Sequence, residues 1–354
     1  MPRLLLLLTG GTLVMTAGDA GAASPASASD GSRIAPPPPR VPGSVRPGAL
    51  RVDDAARRDM VAEVPTLARV ADLETRRLFQ MDSADMQPSD WVTLAREVHR
   101  ELPRYDGIVV VHGTDTMAYT ASALALMLGP LPKPVVFTGS QKPLVDARTD
   151  ARQNLVDAAL VATLAVPEVS IVFHSRALRG ARATKKDAWG FGAFDSPQLA
   201  PLVELGLDVE VASHVRAPAE LGAFDDRLEP RVLAVRVFPG LDPLLVRGAI
   251  RSGVKGLVLE GYGTGNVPRA LLPALEEAKA HDVPVVVVSQ CWRGFVDLGR
   301  YEGGAMADDA GAISAGDMTV EAALAKLMVG LARHGTGDAL REYFASSAVG
   351  ELDA

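Results

Sequence analysis

The hydrophobic pattern of the chain begins with five consecutive leucines, Leu4–Leu8, and this run stops abruptly at the Thr-Gly-Gly-Thr of residues 9–12. A short run that is apolar on both faces is typical of a central strand of a parallel sheet. The two glycines allow a sharp turn and a close approach to the backbone. We predict a buried strand whose carboxyl end presents the hydroxyls of Thr9 and Thr12. Taken alone, the stretch also fits a plain strand and turn.

Apolar runs and helical periods alternate along the rest of the chain, and this rhythm predicts parallel βαβ units. The predicted strands are 67–78, 107–111, 134–138, 169–174, 232–237, 256–259 and 283–289. The predicted helices are 52–64, 88–102, 118–128, 151–162, 243–252, 269–281, 320–331 and 338–344. The pattern therefore indicates an α/β protein built from two α/β units.

Two segments lack this rhythm. Residues 196–230 are irregular, which predicts an N-terminal domain at 1–200, a linker at 201–230 and a C-terminal domain at 231–354. Residues 13–50 are rich in Ala, Gly, Ser and Pro, and such a segment cannot bury enough apolar surface to fold alone. We expect this second segment to form a flexible flap that covers the Thr-Gly-Gly-Thr turn and excludes water. A disordered spacer is the alternative.

Composition narrows the possible partners. The net charge is −7 and no basic stripe is visible, which argues against a nucleic-acid partner. The single cysteine, Cys291, excludes an internal disulfide and suits a reducing compartment, so we predict a cytoplasmic protein. No stretch has about 18 uninterrupted apolar residues, so no membrane span is expected. The leucine run resembles a signal peptide but is shorter than the roughly 7–15 residues of an h-region. A signal peptide is the less favoured alternative.

Candidate chemistry lies where predicted strands end. The strand at 107–111 is followed by His112-Gly-Thr-Asp-Thr-Met117. Because the carboxyl ends of parallel strands share one edge of a sheet, Thr114 and Asp115 should lie near Thr12. A threonine hydroxyl is a poor nucleophile and needs a base, for which His112 or a lysine such as Lys185 could serve. Neighbouring glycines would free backbone N–H groups for an oxyanion. These parts fit acyl transfer on a small polar substrate.

Each of these side chains also has a structural alternative. Asp115 could cap the following helix. Ser83 lies in a polar turn at residues 81–86 and could be a turn hydroxyl. Lys185 could be a solvated surface lysine, and His112 could make a structural hydrogen bond. A nucleotide site is less favoured, since neither a Gly-x-Gly-x-x-Gly motif after the first strand nor a Walker pattern occurs.

Several motifs together resemble the bacterial-type L-asparaginases, and the cytosolic type I forms most of all. These motifs are Thr9–Thr12, His112–Met117, Thr138–Gln141 and Thr184-Lys185; residues 112–123 and Asp317–Glu321 look particularly like type I. The resemblance covers nearly the whole chain apart from the loop after Met15. It implies an N-terminal domain with a doubly wound, mostly parallel sheet that holds the site. A linker and a smaller C-terminal α/β domain would follow.

The resemblance also implies a reaction and its residues. The protein would convert L-asparagine to L-aspartate and ammonia through a threonine acyl-enzyme, with Thr12 as nucleophile. Thr114, Asp115 and Lys185 would form a second triad, with Lys185 as base; which threonine acts first stays open. Ser83, Asp115 and Thr114 would bind the α-amino and α-carboxylate groups of the substrate. The resemblance implies no metal and no cofactor, and a homodimer or a dimer of dimers.

The sequence departs from the family pattern at three places. The family usually has a tyrosine in the flap, whereas the first tyrosine of this chain is Tyr105. Ala84 stands where secreted members have glutamine. Glu260 stands where a cooperative type I enzyme has arginine, so allosteric regulation is not carried over.

Alternatives to the asparaginase prediction come from the same resemblance. They are a glutaminase-leaning amidase, a catalytically impaired amino-acid sensor and a subunit of a tRNA-dependent amidotransferase. The missing flap tyrosine is the main support for a sensor. The amidotransferase subunit usually has an extra domain before Thr-Gly-Gly-Thr, whereas eight residues precede Thr9 here.

Overall fold

The fold was obtained as a computed structural model, which describes residues 1–11, 13, 15–17, 50–52 and 60–353. Thr12, the predicted nucleophile, lies outside the described residues. So does most of the predicted flap at 13–50, of which Leu13, Met15–Ala17 and Leu50 are described.

The described residues form four sheets. In chain order the strands are β1 (Arg3–Gly10), β2 (Met15–Ala17), β3 (Leu50–Val52), β4 (Asp72–Met81), β5 (Gly107–Val111), β6 (Val135–Thr138), β7 (Val169–Phe173), β8 (Arg176–Arg179), β9 (Thr184–Lys185), β10 (Phe194–Asp195), β11 (Val203–Leu205), β12 (Val209–Val211), β13 (Val232–Arg236), β14 (Gly256–Gly261), β15 (Val285–Ser289) and β16 (Ile313–Ser314). The large sheet has the order β12-β11-β8-β7-β6-β5-β1-β4 and the second sheet β13-β14-β15-β16. Two short antiparallel pairs, β2-β3 and β9-β10, complete the set.

Helices connect the strands and cover the sheets. The α-helices are α1 (Met60–Glu63), α2 (Pro88–Glu101), α3 (Met117–Leu128), α4 (Ala151–Val161), α5 (Pro243–Arg251), α6 (Leu272–Ala280), α7 (Glu302–Asp309), α8 (Val320–His334) and α9 (Asp338–Ala345). Short 3₁₀ turns occupy Pro65–Arg69, Ser83–Asp85, Leu102–Arg104, Gly180–Arg182 and Arg269–Leu271. No helix in the described ranges is long and apolar enough to cross a membrane.

The leucine run forms the inner strand β1, as predicted. β1 pairs in parallel with β4 on one side and β5 on the other. Leu5 and Leu7 pack with the core under α2 and α3, whereas Leu4, Leu6 and Leu8 pack with the core under α4. Because each face of the strand meets helices, every position from 4 to 8 is apolar. The α/β class and the mostly parallel large sheet are confirmed, and so is the separate, smaller C-terminal sheet.

Some predicted elements were wrong. Of the predicted helix at 52–64, Met60–Glu63 is helical and Val52 belongs instead to β3, while residues 53–59 lie outside the described residues. The predicted strand at 67–78 begins at Asp72, because Pro65 starts a 3₁₀ turn that buries Leu67. The irregular segment at 196–230 contains the hairpin of β11 and β12, whose three-residue strands are too short to show a period. Helix α7 was missed, since its sequence contains two glycines. The three-part domain division stays a prediction.

Candidate active site

Four strands of the large sheet end side by side, and the motifs of the sequence follow these ends. β1 lies between β4 and β5, and β6 follows β5 in the sheet, all four in parallel. Thr9 is buried at the end of β1, where its Oγ1 donates to the carbonyl of Val111 on β5 at 3.0 Å. Thr9 therefore ties two strand ends together.

Glycines let the chain segments beyond these ends approach closely. Gly10 and Gly11 have φ angles of 107° and 88°, which favour glycine. A Cβ on Gly11 would lie 2.5 Å from the Cα of Gly113, and a Cβ on Gly113 would lie 2.4 Å from Ser83 Oγ. The backbones of Gly11 and Gly113 are therefore in contact, and the side chain of Ser83 packs against Gly113. Thr12 is the next residue in the chain after Gly11.

This packing predicts that Gly113→Ala is destabilising and damages the site. The added methyl group must displace the buried Ser83 side chain, and such overpacking costs roughly 1–3 kcal/mol. Gly248→Ala is the matched control, because Gly248 lies inside helix α5 and an added Cβ would meet no described atom within 4 Å beyond its chain neighbours and the helix's own backbone. The control should stabilise the protein by roughly 0.5–1 kcal/mol. Urea denaturation of both variants measures the difference; equal effects would contradict the contact.

Lys185 joins two of the predicted site residues. Its Nζ lies 2.8 Å from Thr114 Oγ1 and 2.6 Å from Asp115 Oδ1. The side chain of Lys185 is 20% exposed, and that of Asp115 is 64% exposed. Thr114 is buried. The cluster is therefore buried at Thr114 and open to solvent at Asp115.

Asp115 and Ser83 make contacts beyond those of a helix cap or a turn. Helix α3 begins after Thr116 and has no side-chain cap. Asp115 instead accepts a hydrogen bond from Lys185. Ser83 lies in a 3₁₀ turn, and its carbonyl accepts a hydrogen bond from Thr116 Oγ1 at 2.8 Å. Its buried side chain meets the backbone of Gly113, next to Thr114.

Gln141 completes the hydrogen bonding of Thr114. Thr114 Oγ1 donates to Gln141 Oε1 at 3.2 Å, while it accepts from Lys185. The amide nitrogen of Gln141 donates to the carbonyl of Gly190 at 3.2 Å, in the hairpin that follows Lys185. The carboxylate of Asp150 holds the backbone N–H of Gln141. Gln141 belongs to the Thr138–Gln141 motif, but the sequence predicts no role for it. Its position just after β6, at the shared sheet edge, is the signal that marks it.

His112 is a fixed, neutral part of the same edge. Its Nδ1 lies 2.7 Å from the carbonyl oxygen of Gly113, to which it donates, and its Nε2 lies 3.0 Å from Met86 Sδ. Complete burial lowers the pKa of His112 to about 4, against the opposing effect of the bond to Gly113. In this position His112 orients the backbone that leads into Thr114.

The burial of His112 predicts a pH dependence of stability. Between pH 6.5 and about 4 the unfolded chain binds a proton at His112 that the folded chain does not. The free energy of unfolding should therefore fall over this window as the pH falls, by about 3 kcal/mol from this residue. Urea denaturation across the window, compared with His112→Asn, measures the contribution. A His112 ring that titrates above pH 6 by NMR would contradict it.

Within the described ranges, neither a metal-binding cluster nor a tyrosine hydroxyl adds to the group at this sheet edge. No group of three or more His, Cys, Asp or Glu side chains is placed there to hold a metal ion. No tyrosine hydroxyl among the described residues bonds to Thr114, Asp115 or Lys185. The structure thus brings Ser83, Thr114, Asp115 and Lys185 to one edge of the sheet, whereas Thr12 lies outside the described residues.

Fold and site together define a class: a two-unit α/β protein with a threonine, a lysine and an aspartate in contact at the strand ends of its larger sheet. Family models match most of the chain. The model for "Asparaginase, N-terminal" matches residues 43–217, and that for "Glutaminase/Asparaginase C-terminal domain" matches residues 231–344. The chain belongs to the asparaginase family.

Individual relatives agree with this assignment. L-asparaginase 1 of Escherichia coli strain K12 is 42% identical over 278 residues, which are 77% of this chain and 82% of that protein. L-asparaginase of Thermococcus kodakarensis is 36% identical over 99% of both chains. The solved structure of the thermostable enzyme from that organism aligns with a TM-score of 0.83 at 35% identity, covering 99% of each chain. L-asparaginase I of Vibrio cholerae aligns with a TM-score of 0.82 at 33% identity, covering 100% of this chain and 99% of that one.

Proposed function

We propose that this protein is an amidohydrolase that converts L-asparagine to L-aspartate and ammonia through a threonine acyl-enzyme. The observation that carries the proposal is the contact of Lys185 Nζ with both Thr114 Oγ1 and Asp115 Oδ1. Gly113, the residue before Thr114, packs against the backbone of Gly11, which directly precedes Thr12. Relatives named L-asparaginase share 36–42% of their residues with this chain.

In the first half of the reaction, Thr12 Oγ attacks the side-chain amide carbon of asparagine. Lys185 acts as the base: the hydroxyl of Thr114 takes the Thr12 proton and passes its own proton to the Lys185 amine. The tetrahedral intermediate then collapses, the proton returns to the amide nitrogen, and ammonia leaves. Thr12 now carries the aspartyl group as an ester.

In the second half, a water molecule replaces ammonia. Lys185 takes a proton from this water through Thr114, and the hydroxide attacks the ester carbon. Collapse returns the proton to Thr12 and releases aspartate. The carboxylate of Asp115, 2.6 Å from Lys185 Nζ, stabilises the ammonium that forms in each half. Backbone N–H groups beside Gly11 and Gly113 are suited to hold the oxyanion.

Substrate binding follows from the same residues. Asp115 retains exposed carboxylate surface that can accept the α-ammonium of asparagine. Ser83 and Thr114 supply hydroxyls for its α-carboxylate. The reaction needs no metal or cofactor in this proposal.

The remaining assignments concern assembly and location. We propose a homodimer or a dimer of dimers in the cytoplasm, without a nucleic-acid or membrane partner. Exposed apolar side chains on the C-terminal unit, including Phe238, Leu244 and Leu245, support association between copies. The net charge of −7 and the single cysteine support the other assignments.

Two alternatives remain within this site: a glutaminase-leaning amidase and a catalytically impaired amino-acid sensor. Isothermal titration calorimetry of the purified chain with L-asparagine, and separately with L-glutamine, distinguishes them. We expect continuous heat from turnover of asparagine. Continuous heat that is larger with glutamine would favour the glutaminase, and a titration with a stable endpoint would favour the sensor.

A further inference from the structure

The chain segment that carries Lys185 is held by the C-terminal unit of the protein. Arg182, three residues before Lys185, is buried, and its guanidinium lies 2.7 Å from the carboxylate of Asp317. The same guanidinium also contacts the carboxylate of Asp353, near the C-terminus. Asp317 and Asp353 both belong to the C-terminal unit. These two contacts therefore hold the segment that leads into β9 against the C-terminal unit.

A second contact is closer to Lys185. Thr184 Oγ1 donates to Glu321 Oε1 at 2.6 Å. Glu321 lies in the first turn of α8, where it is buried, and its burial raises the pKa of the carboxyl. Both residues lie in motifs that resemble the family, but the resemblance gives Glu321 no role.

The backbone of β9 links the contact between Thr184 and Glu321 to the position of Lys185. Adjacent side chains of a strand point to opposite faces. Thr184 accordingly reaches Glu321 on one side, while Lys185 reaches Thr114 and Asp115 on the other. β9 has two residues, and among the described strands it pairs only with the equally short β10. Side-chain contacts must therefore supply much of what keeps Lys185 in place.

We propose that Glu321 is a positioning residue for Lys185: it holds Thr184, and through the shared backbone it keeps the Lys185 amine on Thr114. The pair of Arg182 and Asp317 provides a second tie to the same segment. This inference rests on the proposed function, because it assigns the amine as the group that moves protons. It makes the C-terminal unit part of the catalytic apparatus.

The central test removes one hydroxyl. Thr184→Val keeps the shape of the side chain but cannot donate to Glu321, and we expect kcat for asparagine to fall about tenfold while KM stays within about twofold. Thr184→Ser should restore kcat. Thr163→Val is the matched control, because it also loses one hydroxyl hydrogen bond, to Leu160, at the end of α4. An unchanged kcat in Thr184→Val would overturn the proposal.

Changes at Glu321 test the same contact from its other side. Glu321→Gln retains an acceptor for the hydroxyl and should keep kcat near the wild-type value, whereas Glu321→Leu should match Thr184→Val. The double variant Thr184→Val with Glu321→Leu should lose no more than either single variant, since both break one interaction. Fully additive losses would contradict the coupling. If Glu321→Leu does not fold, the Thr184 series decides alone.

A measurement without turnover separates this inference from the proposed function. Mass spectrometry after brief treatment with an amine-acylating reagent gives the labelling of Lys185 relative to Lys186. In Thr184→Val, Lys185 should be labelled several-fold faster than in the wild-type chain, because its amine leaves Thr114. An unchanged ratio would overturn the positioning role even if the wild type is active. A changed ratio in a chain that releases no ammonia would uphold it while the proposed function fails.

Discussion

Replacing Lys185 with methionine is expected to lower kcat for asparagine by about 10²–10⁴-fold, the usual contribution of a general base. Methionine keeps the length of the side chain, but it can neither exchange a proton with Thr114 nor pair with the carboxylate of Asp115. The change removes an ion pair with a largely exposed partner, so the fold should persist. Steady-state ammonia release gives kcat, and circular dichroism checks the fold.

Lys186→Met is the matched control for this prediction. Lys186 is the adjacent residue, but its amine pairs with Asp195 and makes no described contact with Thr114 or Asp115. We expect its kcat to stay within a factor of two or so of wild type, as for an ordinary surface substitution. Activity that survives Lys185→Met, or an equal loss in both variants, would remove Lys185 from the mechanism.

Thr12→Ala is expected to have the largest effect, a loss in kcat of about 10⁴-fold or more, as for other enzymes that lose a nucleophile. The reason is chemical: without the Thr12 hydroxyl no ester can form with the aspartyl group. Thr12→Ser keeps a hydroxyl and should retain measurable turnover. Ammonia release by the three proteins gives the comparison.

Thr9→Ala separates the chemistry of Thr12 from damage to the turn. Thr9 belongs to the same motif, but its hydroxyl is occupied by the carbonyl of Val111. Its loss should cost about 1 kcal/mol of stability and leave most of kcat. An active Thr12→Ala variant would show that another group, with Thr114 the first to examine, is the nucleophile.

Much of the fold could be predicted because its strongest signals are local. The run at Leu4–Leu8 is apolar at every position, and this pattern alone gave a two-sided buried strand, which β1 is. The hairpin β11-β12 was missed because strands of three residues are too short to establish a hydrophobic period. The strand at Asp72–Met81 was placed too early because Leu67 is buried by a turn rather than by a strand.

The candidate site was predictable to a different extent. Strand-end position brought Thr114 and Asp115 to one edge, but spacing alone could not single out Lys185, which is 70 residues further along the chain from Asp115. The family resemblance supplied that residue. Neither route gave a role to Gln141 or Glu321. Their contacts depend on how distant turns and the two units pack, and a single sequence does not show this.

Without a tyrosine in the flap, another group must activate Thr12, and we propose Lys185 for this role. In related sequences a tyrosine is expected beside the nucleophile, and this chain has none before Tyr105. Tyr105 itself donates to Glu74 at 2.6 Å and is buried. In the proposed mechanism, Lys185 and Thr114 activate the nucleophile without a flap tyrosine.

The purified chain should turn over L-asparagine. The most direct test is to measure ammonia and aspartate together from one reaction. We expect equal amounts of both products, far exceeding the amount of protein, and none above background from Thr12→Ala. Bound asparagine with no release of either product, or release that is equal in wild type and Thr12→Ala, would contradict it.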